Sequence, residues 1–66
     1  MVKGYNVYRR TKPGGPYSKI NSELVQGFSY QDRDVKSGTT YYYVTRAVNA
    51  DGLESANSSE ITAVVR

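Results

Sequence analysis

The run Thr39-Thr40-Tyr41-Tyr42-Tyr43-Val44-Thr45-Arg46-Ala47-Val48-Asn49 decides the fold class. Its side chains alternate as they do on a strand. Tyr41, Tyr43, Thr45 and Ala47 fall on one face, and Tyr42, Val44, Arg46 and Val48 on the other. β-branched and aromatic residues occupy both faces, which suits a central strand. A guanidinium must be hydrated or paired, so the reading sets Arg46 outward and mostly exposed, with Tyr41 and Tyr43 inward and strongly buried. A slip of one residue would exchange every one of these assignments.

The same period extends outward from this run. Val35-Lys36-Ser37-Gly38 before it is a turn, and Ala50-Asp51-Gly52-Leu53 after it is a hairpin connection. Ile61, Ala63 and Val65 then alternate with Thr62, Val64 and Arg66 in a last strand. Towards the start, Gly4 to Arg10 is a strand with Tyr5 and Val7 on one face and Asn6 and Tyr8 on the other. Thr11-Lys12-Pro13-Gly14-Gly15-Pro16 forces a turn into a short strand, Tyr17 to Asn21. Phe28 to Asp32 is a further candidate strand. About five short strands joined by turns predict an all-β, antiparallel, sandwich-type domain spanning 1–66.

Composition narrows the chemistry. The chain has no cysteine and no histidine among its 66 residues, but seven tyrosines. Disulfides, thiol chemistry, zinc fingers and histidine-dependent triads are therefore excluded. The net charge of +3 is modest for a nucleic-acid binder, and Arg9, Arg10 and Lys12 read as a solvated strand end that blunts aggregation. No apolar run approaches the ~18 residues of a membrane span. The expectation is no nucleic acid, no membrane and no cofactor.

Val35-Lys36-Ser37-Gly38-Thr39-Thr40-Tyr41-Tyr42-Tyr43-Val44 resembles the E–F corner and F strand of a fibronectin type III domain. Ala47 to Ser55 resembles the end of F and the F–G loop, Gly4 to Arg9 strand C, and Ser29 to Asp32 strand E. The dialect is similar to that of bacterial modules in secreted, often polysaccharide-degrading, multidomain proteins. The resemblance implies an immunoglobulin-like β-sandwich that is incomplete, with strands C, C′, E, F and G and without A and B. It also implies that Tyr41 is the tyrosine corner, its hydroxyl bonded to backbone near the E–F corner. Tyr5, Val7, Tyr43, Ile61 and Val65 match inward positions of the C, F and G strands. With the covering strands absent, they would form an apolar face for a homodimer or other homo-oligomer.

Candidate sites are few. Asp32 and Asp34 flank Arg33 beside a turn, and capping by aspartate explains them better than a catalytic carboxylate pair, which needs a cleft. Asn49, Asp51 and Glu54 have oxygen-ligand chemistry, but their spacing is not that of a calcium loop, so no metal is expected. Asn57-Ser58-Ser59 is a formal glycosylation sequon without a context that gives it meaning. Tyr8, Tyr42 and Arg46 define an outward patch that could stack on sugars or anchor a protein; cross-strand aromatic pairing is the plainer explanation. The sequence therefore predicts a non-enzymatic spacer or protein-interaction module, extracellular or on the cell surface within a larger parent. The alternative is a carbohydrate-binding accessory module that uses the outward tyrosines on a polysaccharide.

Overall fold

β3, Thr40–Asn49, forms where the alternation is cleanest and becomes a central strand. The computed structural model describes residues 2–26, 32 and 34–65. In addition to β3 it contains β1 (Val2–Arg10), β2 (Ser18–Lys19) and β4 (Ile61–Val64). All pairings are antiparallel, and the strands lie in one sheet in the order β2-β1-β3-β4. The second expected strand contracts to Ser18–Lys19, and at its far end Asn21 meets Val7 N through its side chain in place of its backbone. The strand expected from Phe28 lies outside the described residues, apart from Asp32 at its end.

Register fixes the faces. Tyr5↔Ala47, Val7↔Thr45 and Arg9↔Tyr43 pair across β1 and β3, as do Asn6↔Arg46, Tyr8↔Val44 and Arg10↔Tyr42. Tyr41↔Ala63 and Tyr43↔Ile61 continue the first face onto β4. Tyr41 and Arg46 therefore stand on opposite faces, as the alternation required.

Burial is shared between the faces. Val7 and Tyr41 are buried on one, and Val44 and Val48 on the other. Val44, expected outward, is the most covered of the four at 3% exposure. It lies opposite Tyr8 and between Tyr42 and Arg46 along its strand, so long neighbours roof it. Tyr43, expected to be strongly buried, is only half-buried, because Ile61 opposite it sits on an edge strand and is itself 66% exposed. Arg46, expected to be mostly exposed, is also half-covered.

The free side of β1 is filled by irregular chain. Ile20 donates to Val7 O, and Tyr5 and Val25 exchange a pair of backbone bonds at 3.0 and 2.9 Å. Gly4 permits this approach, since a Cβ there would lie 2.8 Å from Leu24 Cβ and 3.2 Å from Val25 O. Asn21, buried at 6% exposure, supplies what no strand residue does. Its Oδ1 accepts from Val7 N at 2.8 Å, and its Nδ2 donates to Glu23 O and Asn6 Oδ1.

The segment between β3 and β4 uses a related device. It turns at Gly52, where φ is +82°, and runs back beside β3. Ser55 N donates to Ala47 O, and Ala47 N donates back to Ser55 Oγ. Ser58 and Thr45 repeat the exchange. Two serine hydroxyls thus replace strand carbonyls, spaced three apart in the sequence against two on β3.

Candidate functional site

The chemistry-bearing side chains gather into clusters that share one plan: an arginine lies over a tyrosine ring and pairs with a carboxylate, which also takes a tyrosine hydroxyl. The first cluster contains two of the residues expected to form an outward patch. Arg46 Cζ sits 4.6 Å from the centre of the Tyr8 ring. Glu54 accepts from Arg46 at 3.3 Å, from Asn6 at 2.8 Å and from the Tyr8 hydroxyl. Arg46 Nε donates to Asn57 Oδ1 at 2.6 Å. Hydrogen bonds from Tyr8 and Asn6 hold Glu54 below the usual carboxylate range, and the Glu54 contact raises Tyr8 above the usual phenol value.

The second cluster lies further along the same face. Arg10 Cζ is 4.4 Å from the Tyr17 ring centre and Arg10 Nη2 is 2.6 Å from Glu60, which also accepts from the Tyr17 hydroxyl. Tyr17 is raised and Glu60 lowered, each chiefly by their mutual hydrogen bond.

The third cluster stands on the opposite face. Arg9 lies 5.2 Å from the Tyr41 ring centre and 2.8 Å from Asp32, and it also donates to Asp34 O. Tyr43 donates to Asp32 Oδ2 at 2.8 Å. Burial first, and then the Asp32 bond, push Tyr43 up to about 12. Burial alone would raise Asp32, but hydrogen bonds from Arg9 and Tyr43 outweigh it, leaving the carboxyl below its ordinary value. The Asp32 bond likewise raises Arg9.

These clusters revise several expectations. Arg9 and Arg10 are not a solvated strand end, since their side chains are only 20% and 18% exposed and both are ion-paired. Tyr8 and Tyr42 are not directly paired across strands; Tyr8 faces Val44 and Tyr42 faces Arg10. Tyr42 lies on the Tyr8 face but outside the Arg46–Glu54 bonds. Asp32 does cap Asp34 N at 3.2 Å, while its other oxygen serves Arg9 and Tyr43. Asn49 bonds the Asp51 and Leu53 amides through its own Oδ1, and Glu54 turns instead towards Tyr8, so these residues do not converge.

At the turn before β3, Lys36 N donates to Tyr41 Oη at 2.9 Å. Of the residues expected to form an apolar contact face, Val7 is buried and Tyr5, Tyr43 and Val65 are half-buried, whereas Ile61 is exposed. Sequence reasoning missed Asn21, Glu54, Glu60 and Tyr17 as partners. The signal available for the last three was the presence of acids and a tyrosine at positions that register alone brings near the arginines.

No family model matches the chain. Among curated proteins, the chain is 48% identical over 59 residues to an amylopullulanase of Thermoanaerobacter thermohydrosulfuricus, covering 89% of this chain and 4% of that protein. It is 38% identical over 55 residues to a poly(3-hydroxybutyrate) depolymerase of Delftia acidovorans, covering 83% of this chain and 10% of that protein. The chain thus spans only a small fraction of these relatives. A solved Fn3-like protein from Clostridium thermocellum superposes with a TM-score of 0.83 at 44% identity, covering 92% of this chain and 62% of that one.

Proposed function

As an all-β, fibronectin type III-like domain, this chain is, we propose, a non-catalytic spacer and protein-interaction module of a larger, secreted, polymer-degrading bacterial protein. The observation that carries the reading is where the chain enters and leaves the sheet. Val2 pairs with Asn49 at one end of β3, and Val64 pairs with Thr40 at the other. Entry and exit are therefore separated by the length of β3, about 30 Å at ~3.3 Å per residue. Entry and exit at opposite ends of one strand suit a spacer.

The relatives support the same reading. One is named an amylopullulanase and another a poly(3-hydroxybutyrate) depolymerase, names that point to different polymers. A segment common to both suits a role independent of the substrate. Glu54, Glu60 and Asp32 each already hold a tyrosine hydroxyl and an arginine, so these three acids are engaged in structure.

The carbohydrate-binding alternative is weakened at Tyr8, whose ring face is taken by Arg46 and whose hydroxyl is taken by Glu54. Tyr42 remains its best residue. The test joins the chain between two folded reporters and measures their separation by small-angle scattering, alongside pull-downs on amylose, pullulan and poly(3-hydroxybutyrate). The expected result is a separation about 30 Å greater than in a direct fusion and no polymer retention. Saturable glucan binding that is abolished by Tyr42→Ala would replace this reading with the alternative.

A further inference from the structure

We propose that the outer edge of β4 is a self-pairing surface, on which a second copy of this chain extends the sheet by antiparallel β4–β4 addition. This goes beyond the spacer reading and does not depend on it.

The two edges of the sheet are treated differently. β2 is two residues long, follows Pro16 and carries Lys19, all features that blunt edge pairing. β4 is Ile61-Thr62-Ala63-Val64, without charge or proline, and Ile61 and Val64 are 66% and 61% exposed. Among the described residues, only β3 pairs with it. Ile61 and Val64 are two of the four exposed large apolar side chains among the described residues, with Val2 and Leu53, and they share this one short edge strand.

Register favours a second copy as the occupant. Val65 N donates to Thr39 O at 3.0 Å, and Val65 O accepts from Gly38 N. Strand alternation then turns the polar groups of Ile61 and Ala63 towards β3, and those of Thr62 and Val64 away from it. A two-fold axis perpendicular to the sheet keeps each face on its own side, so the symmetric register must centre on a residue. Centred on Ala63, it sets Thr62 opposite the partner's Val64, and Val64 opposite the partner's Thr62. All the outward N–H and C=O groups of β4 are then satisfied reciprocally. No charge faces a like charge, and β-branched side chains line both faces of the junction. Centring on Thr62 would instead set Glu60, which is held by Arg10, against the partner's Val64.

Such a contact buries less than the ~1,200 Å² of a stable interface, so the association is weak and reversible. The test is sedimentation of the 66-residue chain up to about 1 mM, together with residue-resolved amide exchange. The expected result is a monomer–dimer equilibrium in which the Thr62 and Val64 amides become protected as concentration rises. The Ile61 and Ala63 amides are already protected in the monomer. Thr62→Pro removes only an outward N–H and is expected to weaken association about ten-fold or more with an unchanged circular dichroism spectrum. A chain that stays monomeric at 1 mM overturns the proposal. So does a dimer whose Thr62 and Val64 amides exchange as fast as in dilute solution, because the contact would then lie elsewhere. The exchange measurement decides the matter even if the proline variant fails to fold.

Discussion

Tyr41 and Tyr8 are both tyrosines with a bonded hydroxyl, yet they stand in different surroundings. Tyr41 is 5% exposed and accepts from Lys36 N, whereas the Tyr8 contact to Glu54 lies in water. Tyr41→Phe leaves a backbone donor short of its partner and is expected to cost about 1–3 kcal/mol in urea unfolding. Tyr8→Phe is expected to cost less than ~1 kcal/mol. Equal midpoints would contradict the difference.

The Tyr43–Asp32–Arg9 contact fails at both ends of the pH scale, with opposite signs. Tyr43 is raised, so its contribution is complete below the unfolded phenol value near 10 and is lost as pH climbs towards about 12. Asp32 is lowered, so its contribution is present above about pH 4 and is lost as pH falls through the depressed folded value. Tyr43→Phe should flatten the alkaline limb of a stability–pH curve, and Asp32→Asn the acid limb. Unchanged limbs in both variants would mean that the contact contributes nothing to the fold.

At the scale of elements, polar side chains complete ladders that strands leave short. Asn21→Ala strands the buried Val7 N–H and is expected to cost about 2 kcal/mol. Asn21→Asp keeps the acceptor but loses the donors to Glu23 O and Asn6, so it should recover only part of the loss. Ser55→Ala and Ser58→Ala each remove a hydroxyl that accepts from β3, with an expected cost of roughly 0.5–1 kcal/mol. Chemical denaturation of the singles and the double variant checks both the size of these costs and whether they add. The sequence set Asn21 at the end of a short strand and Ser55 and Ser58 in polar connecting chain, without marking any of them as a partner of β1 or β3. Asparagine and serine suit loops generally, and nothing local shows that Val7 or Thr45 needs a partner. The strands themselves were legible, because period two in β1 and β3 sorts tyrosine and valine without reference to distant residues. The same alternation did not reveal the burial of Val44, which adds Tyr8 from β1 to its own strand neighbours Tyr42 and Arg46.

Across the whole molecule, sequence distance was the barrier. Tyr8 and Glu54 are 46 residues apart, Tyr17 and Glu60 are 43 apart, and Arg9 and Asp32 are 23 apart. Each contact depends on the assembled register, so none could be read from spacing. Together they hold the connecting segments against β1 and β3 from both faces. High salt should weaken the two clusters on the Tyr8 face more than the third, in which Asp32 is only 11% exposed. Melting curves of Glu54→Gln, Glu60→Gln and Asp32→Asn with and without 1 M salt would show that ordering. Equal salt sensitivity of all three contacts would contradict it.

Entry beside Asn49 and exit beside Thr40 also determine how the module bears load. Tension applied at Val2 and Val64 pulls β1 and β4 in opposite directions along their own axes, past β3. The ladder bonds lie across that pull and are sheared as a group, not peeled one at a time. The weaker seam is β3–β4, with four paired positions against eight between β1 and β3. Under force β4 should slide free first, leaving β1 and β3 joined as an intermediate that single-molecule extension would record as a separate step.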